Sequence, residues 1–429
     1  MLRFPALVTR VARPQLRPLA IPAFRSLFLA TLASSFGTLV AAVALAVDVK
    51  DRTQSGLWVG ALLIVGFLPA IVIGLLAGPL VDRLSRRRLM VAADLVRMAV
   101  FLALPFVSSA GVIVALAAVA GVATGFFRPA VMAGMPNLVP EEELPQANSL
   151  LQSVENVSWA VGPVLGGLVA GTAGPSVAYL LNAGSFLVSA VLIARIPSRL
   201  LQSAEAESRG HWRDLGDGLL LVVRSRPLVT VLVVWSVAVF GSGAVSVGEI
   251  FLAKDALHGG DLGYGILFGS IGVGLAFGSF VAGGLERRLG VPLLYSVAIA
   301  VMAAGFAGAA ASPDVWIAAV CCAVGGLGNG AAGVCNALLV QRGAPDSMRG
   351  RAFTVIMSAN FVALTVGMAA AGPILDAYGP RATWAGAAAL IGLAAIVAVV
   401  LTRGLVEART ASARTRASRP RPAETRPST

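Results

Sequence analysis

Twelve stretches of about twenty nearly uncharged residues, parted by short charged or Gly/Pro-bearing gaps, constrain this chain more than any other feature. A helix needs about 20 apolar residues to cross the hydrocarbon core of a bilayer, and there every backbone N–H and C=O must be paired within the segment or its neighbours. The pattern predicts helices over 27–47, 57–80, 89–108, 111–135, 147–170 and 176–195. After a longer polar gap it predicts 227–252, 263–285, 293–311, 315–340, 353–375 and 382–402. Composition agrees. Of 429 residues, 57% are hydrophobic and 13% charged, where a soluble domain carries about 25% charged. The expected class is an all-α polytopic membrane protein whose first partner is the lipid bilayer.

The net charge is +12. A basic chain can bind nucleic acid, but these Arg residues sit in short gaps between apolar runs, with no basic stripe and interleaved aromatics, so nucleic acid is excluded. The charge is informative about orientation instead. Lys50, Arg52, Lys254 and Arg381 fall in loops on one side, Arg97 and Arg128 fall inside helices, and every other Lys or Arg falls on the other side. Basic loops stay in the cytoplasm. An even number of crossings then places both termini there, in a multi-pass protein of the inner (plasma) membrane.

Enzymatic chemistry finds no foothold. Cys321, Cys322 and Cys335 lie in one apolar run, and His211 and His258 fall in separate loops. No metal-ligand cluster, nucleophile–base set or nucleotide loop can be assembled, so no cofactor or metal is expected. A polytopic membrane enzyme would need such a cluster at a membrane face.

The chain divides into a cytoplasmic N-terminal arm (1–26), a six-helix bundle (27–197), a cytoplasmic linker with room for a surface helix (198–226), a second six-helix bundle (227–403) and an Arg/Pro/Ser/Thr-rich tail expected to be disordered (404–429). The bundles echo each other. Gly162–Leu165 (GPVL) recurs as Gly372–Leu375 (GPIL), Gly174-Pro175 as Gly379-Pro380, and AGPLVDRL from Ala77 as AGGLERRL from Ala282. Three matches in order, at offsets of 205 to 210, indicate a duplicated unit with pseudo-two-fold symmetry. Such repeats are common in secondary transporters, with the substrate site between the halves.

Two motifs carry a family resemblance. Gly78-x-Leu80-x-Asp82-Arg83-x-x-Arg86-Arg87 resembles the loop between helices 2 and 3 of the major facilitator superfamily, roughly G-x-L-x-D-R-x-G-R-[KR], with Ser85 in place of a glycine. In that family the loop latches the two halves on the cytoplasmic side, which implies a gating role for Gly78, Asp82, Arg83, Arg86 and Arg87. Gly162-Pro163-x-x-Gly166-Gly167 resembles the helix 5 motif of the superfamily's proton-coupled exporters; ordinary Gly-rich helix packing would also explain it. FFRPAVMAGMPNLVPEEELPQANSL and RGAPDSMRGRAFTV resemble the bacterial branch holding macrolide-efflux and enterobactin-exporter proteins. Many members of that branch carry an acid after the Gly of helix 1. Here Thr38 stands in its place, so that acid's role does not transfer.

Charges inside membrane segments are functional hypotheses by default. Asp94 and Arg97 share a helix face, and Arg128 lies at a similar depth, so a network of the three is expected, either a fixed bridge or one that re-forms during transport. Glu155, about eight residues into helix 5, is the expected proton-coupling acid if it is buried, and the alternative is pairing with an Arg at the cavity. Glu249 and Asp376 read as vestibule residues. Ser34, Phe36, Trp159, Trp235, Asn329, Asn336 and Asn360 are the candidate lining of an apolar, aromatic cavity suited to amphiphilic molecules, although each also fits helix packing.

The resulting expectation is a secondary transporter, a monomer of the major facilitator fold, that expels small amphiphilic drug- or macrolide-like compounds in exchange for protons by alternating access. Siderophore or lipid export on the same fold is the first alternative. A non-transporting homologue would have no use for the latch and the helix 5 motif.

Overall fold

The computed structural model describes residues 16–76, 84–201 and 211–417, and among them every regular element is helical. The first half contains α1 (Pro22–Thr53), α2 (Gly56–Leu76), α3 (Arg86–Ala103), α4 (Ala110–Gly134), α5 (Leu144–Ala173) and α6 (Pro175–Ala194). A linker helix, α7 (His211–Arg224), follows. The second half contains α8 (Arg226–Phe251), α9 (Gly260–Leu289), α10 (Val291–Ala311), α11 (Val315–Gly343) and a run, Arg349–Ala417, broken at Gly379 into α12 (349–378) and α13 (380–417). Setting α7 aside, twelve helices remain, the number the apolar runs predict.

Local chemistry sets the breaks. Proline in the first turn begins α1, α5, α6, α8 and α10, where its missing N–H has no intrahelical partner to lose. The Asp314 side chain caps α11 by accepting from Trp316 and Ile317 N–H. Gly174 (φ 84°) and Gly379 (φ 78°) occupy the same left-handed conformation before Pro175 and Pro380, so the repeat seen in sequence is a repeat of backbone geometry.

Two boundaries differ from expectation. α1 begins at Pro22, inside the predicted arm, because Phe24 is fully buried in the first half's core. α13 continues to Ala417, beyond the predicted start of the disordered tail.

Within the first half α1 packs on α5 and α6, α2 on α4, and α3 on α4 and α6. In the second, α8 packs on the α12–α13 run, α9 on α11, and α10 on α11 and that run. The halves meet chiefly where α5 crosses α9 and α2 crosses α12. Large apolar side chains on the periphery, among them Phe106, Phe280 and Val400, are exposed, as a lipid-facing surface requires.

Candidate functional site: a cleft closed at one end

The α5–α9 crossing is built on glycine. A Cβ on Gly265 would lie 2.3 Å from Pro163 O, and one on Gly272 would lie 2.5 Å from Trp159 O. The helix 5 motif has two faces. Gly162 and Gly166 receive Leu39 and Val40 of α1, while Gly167 meets Asp261 O and Gly265 of α9. At the α2–α12 crossing, Gly56 and Leu57 meet Gly372 and Leu375, and Gly60 meets Met368 O. These contacts extend from the middle of each helix to one end only. Among the described residues, a Cβ on Gly66 at the middle of α2, or on Gly283 or Gly284 farther along α9, would meet nothing within 4 Å. One apolar core runs through both halves, and a second, around Phe24, Met90, Phe127 and Ile193, sits apart within the first half.

The joined end carries a reciprocal ion clasp. Lys50 of α1 pairs with Asp255 (2.6 Å), and Lys254 pairs with Asp51 of α1 (2.7 Å) and with Asp261 (2.6 Å). Lys50 is nearly buried, while Asp255 and Asp51 are 44% and 47% exposed. Asp376, expected in a vestibule, accepts from Gly56 N–H (2.7 Å) and Ser55 Oγ (3.1 Å). It therefore holds the N-terminus of α2 to the second half, where the helix dipole favours an anion. The sequence carries a signal for this clasp that hydropathy does not show. The chain's two lysines, Lys50 and Lys254, are each followed by Asp at positions matched by the repeat.

The intramembrane charges form two groups, not the single network expected. Arg97 donates to Asp94, whose other oxygen accepts from Ser189 Oγ of α6 (2.7 Å). The guanidinium of Arg97 lies between the rings of Phe127 (4.3 Å) and Phe186 (4.4 Å), a favourable cation–π setting. Every partner belongs to the first half, and Asp94 is fully buried. Arg128 instead pairs with Glu155 (3.0 Å), with side chains 65% and 29% exposed. Glu155 is thus a cavity residue and not the buried acid that the coupling expectation required. It lines a hollow of about 330 Å³ with Met132, Asn148, Ser149 and Gln152. A larger hollow, about 630 Å³, is a shallow groove of alanines from α10 and α13 ending at Arg381. It lies away from these charges.

Of the expected cavity lining, Trp159 is 41% exposed and stacks edge-on against Phe268 of the other half (5.5 Å). Ser34, Phe36, Trp235, Asn329 and Asn336 are buried or half-buried. Asn360 is buried and accepts from Ser236 Oγ (3.2 Å), so it ties α12 to α8. Thr38 bonds back to Ser34 O within α1.

The sequence profile of the transmembrane secretion effector family matches residues 14–425. The chain belongs to that family, a branch of the major facilitator superfamily. Multidrug efflux pump Tap of Mycolicibacterium fortuitum is 29% identical over 394 residues, 87% of this chain and 94% of the pump. Macrolide efflux protein A of Streptococcus pyogenes is 24% identical over 342 residues, 77% of this chain and 83% of that protein. Among solved structures, the nucleoside transporter NupG superposes with a TM-score of 0.71 at 12% identity, covering 88% of this chain and 99% of that one. A bacterial homologue of the iron transporter ferroportin, in an inward-facing state, superposes with 0.70 at 15% identity, covering 89% and 98%. At such identities the structures share the fold alone. The chain is a multi-pass membrane protein of the major facilitator fold.

Of the loop motif, Gly78, Asp82 and Arg83 lie outside the described residues. Arg86 is buried and donates to Ala133 O (2.9 Å) and Leu201 O (3.0 Å), while Arg87 donates to Ala194 O and Ile196 O. These bonds stitch α3 to the ends of α4 and α6 inside one half. The two arginines therefore have a bracing role besides any part in a latch.

Proposed function

We propose that this protein exports small amphiphilic compounds in exchange for protons, by alternating access between two six-helix halves. The observation that carries the reading is the one-ended closure. The halves meet at the end holding Lys50, Arg52, Lys254 and Arg381, which the positive-inside rule assigns to the outer face. From the middle of α2 (Gly66) and toward the Arg-rich end of α9 (Gly283, Gly284), the end assigned with both termini to the cytoplasm, an added Cβ would meet no described residue within 4 Å. Trp159, Arg128 and Glu155 can then be reached from the cytoplasm, as an exporter loading its substrate requires.

The lining supports the substrate class. An exposed indole, apolar walls and one exposed Arg–Glu pair suit a molecule with a large apolar body and few polar groups. The efflux roles named for the two relatives agree. Alternation needs the outer clasp to part while each half stays intact, and the crossing at Gly265 and Gly272 provides a backbone-to-backbone pivot.

The test uses inside-out vesicles with an imposed proton gradient, challenged with macrolides, dyes and siderophores. Collapse of the gradient by a macrolide or dye, in vesicles holding the protein only, is the expected result. Collapse by siderophores alone would reassign the substrate. Movement of radiolabelled compounds with no effect on the gradient would sink proton antiport.

A further inference from the structure

The hollow of about 330 Å³ opens between the end of α4, at Met132, and the first three turns of α5, from Pro145 to Glu155. Beside it, Arg128 Nη2 of α4 donates to Glu155 Oε2 of α5 (3.0 Å). The two members of this pair are placed differently. Glu155 borders the hollow with its side chain 29% exposed, while Arg128 is 65% exposed and forms no part of the wall. The hollow therefore presents an acid and not a guanidinium. Neighbouring amides add acceptors. Asn148 Nδ2 donates to Leu144 O and Gln152 Nε2 to Asn156 Oδ1, which leaves Asn148 and Gln152 each with a side-chain carbonyl oxygen able to accept. Met132 and Pro145 supply apolar wall. One turn farther along α5, four residues from Glu155 and so on the same side of the helix, the Trp159 indole is 41% exposed and meets Phe268 of the other half edge-on.

We infer that this hollow is the amine subsite of the exported compound, in which Glu155 exchanges Arg128 for the protonated alkylamine of a cationic amphiphile whose apolar body lies against Trp159. The inference rests on the export reading above. An exposed ion pair is weak, and a guanidinium as open to water as that of Arg128 loses little by turning away. An ammonium entering the hollow brings N–H donors to the carboxylate and to the amide oxygens, and charge-assisted bonds of this kind are the stronger ones. Its alkyl substituents meet Met132 and Pro145, and the indole one turn away attracts the same charge. An acidic ligand has no equal place. The hollow would set it against Glu155, while the guanidinium that could draw it stands outside the wall. The volume is at the lower limit of small-ligand sites, so it takes an amine with its substituents, and the rest of a drug-sized molecule continues along α5 to the indole. Arg128 is then the resting occupant of a cation site, and the site selects basic amphiphiles over neutral or acidic ones of equal hydrophobicity.

Dansylamides of matched size test this on the full-length protein in nanodiscs of zwitterionic lipid. One carries a tail ending in a dimethylamino group, one the isosteric isopropyl group and one a carboxylate. Binding is read at neutral pH as energy transfer from the protein's tryptophans to the dansyl group, with empty nanodiscs subtracted. The wild-type protein is expected to bind the amine about tenfold more tightly than its neutral isostere, the effect of one charge-assisted bond. Glu155→Gln is expected to remove that preference and leave binding of the neutral compound unchanged. Arg128→Gln, which removes the rival cation, is expected to tighten the amine severalfold. The opposite signs separate a cation site from a structural bridge. Weakening of both the amine and the neutral compound by both variants makes the pair structural and overturns the inference. Equal binding of all the compounds by the wild-type protein overturns it too, as does a preference for the carboxylate that is lost in Arg128→Gln, which makes the guanidinium the anchor of an acidic cargo. Binding is read without transport. An amine that binds in the expected pattern yet is not moved in the vesicle assay therefore sinks the export reading and leaves the subsite assigned.

Discussion

At the clasp end, Lys50, Asp51, Lys254, Asp255 and Asp376 bond from one half to the other, and the glycine faces of α2, α5, α9 and α12 touch backbone to backbone. At the Arg-rich end, the pairs Glu286–Arg342, Arg349–Asp346 and Arg128–Glu155, and the carbonyl contacts of Arg86 and Arg87, each stay inside one half. Among these contacts of the described residues, those of one end join two bodies, while those of the other stiffen each body. The proposed alternating access needs both. Contacts that would part are ion pairs whose acids Asp51 and Asp255 are about half exposed, so solvent screens them, and contacts that would survive, such as Asp94–Arg97, are buried in a single half.

The contrast can be broken most severely from within a half. Asp94→Asn leaves the sealed Arg97 guanidinium with aromatic faces and no carboxylate, and loss of one partner of a buried pair costs about 3–5 kcal/mol. The expected result is a lower melting temperature and lower yield, read by fluorescence-detected size exclusion. Normal stability with altered transport would instead mean that the pair re-forms during the cycle.

Next comes the pivot. Gly265→Leu forces α5 and α9 apart, since even a Cβ would sit 2.3 Å from Pro163 O. Substrate efflux is expected to vanish at near-normal expression. A cysteine at Gly171, on the outer part of α5, should then react readily with a membrane-impermeant maleimide, and slow labelling would show that the crossing tolerates the side chain.

The clasp should respond more gently. Asp255→Asn strands the nearly buried Lys50, but Asp255 itself is 44% exposed, so the closed form loses about 1–2 kcal/mol after screening. That is roughly a tenfold population shift, visible as faster maleimide labelling at the same cysteine. Lys254→Ala should resemble it, because the two arms are reciprocal. The smallest effect is expected for Glu155→Gln. This pair is exposed to the cleft, so stability should change by less than about 1 kcal/mol, with the change appearing in substrate preference measured by competition.

Much of the fold was legible beforehand. The apolar runs located twelve helices because lipid permits no other backbone arrangement for such segments. The GP repeats marked the duplicated turns because a left-handed residue before a helix-starting proline strongly favours glycine. The site was less legible. Asp94 and Arg97 are i, i+3 neighbours, so their pairing is local information. Arg128's choice of Glu155 over Asp94, and the capping of α2 by Asp376 some 320 positions away, depend on which helices become neighbours. Glu249, read as a vestibule residue, is buried; sequence gives depth along a helix and not which face is sealed.

The sequence by itself determined the class, the crossing count, the duplication and the sidedness of charge, since each follows from hydropathy and from glycine and proline stereochemistry read along one segment. Tertiary structure alone decided where the halves close on each other and which acids found cations, because those outcomes depend on helix faces brought together from distant parts of the chain.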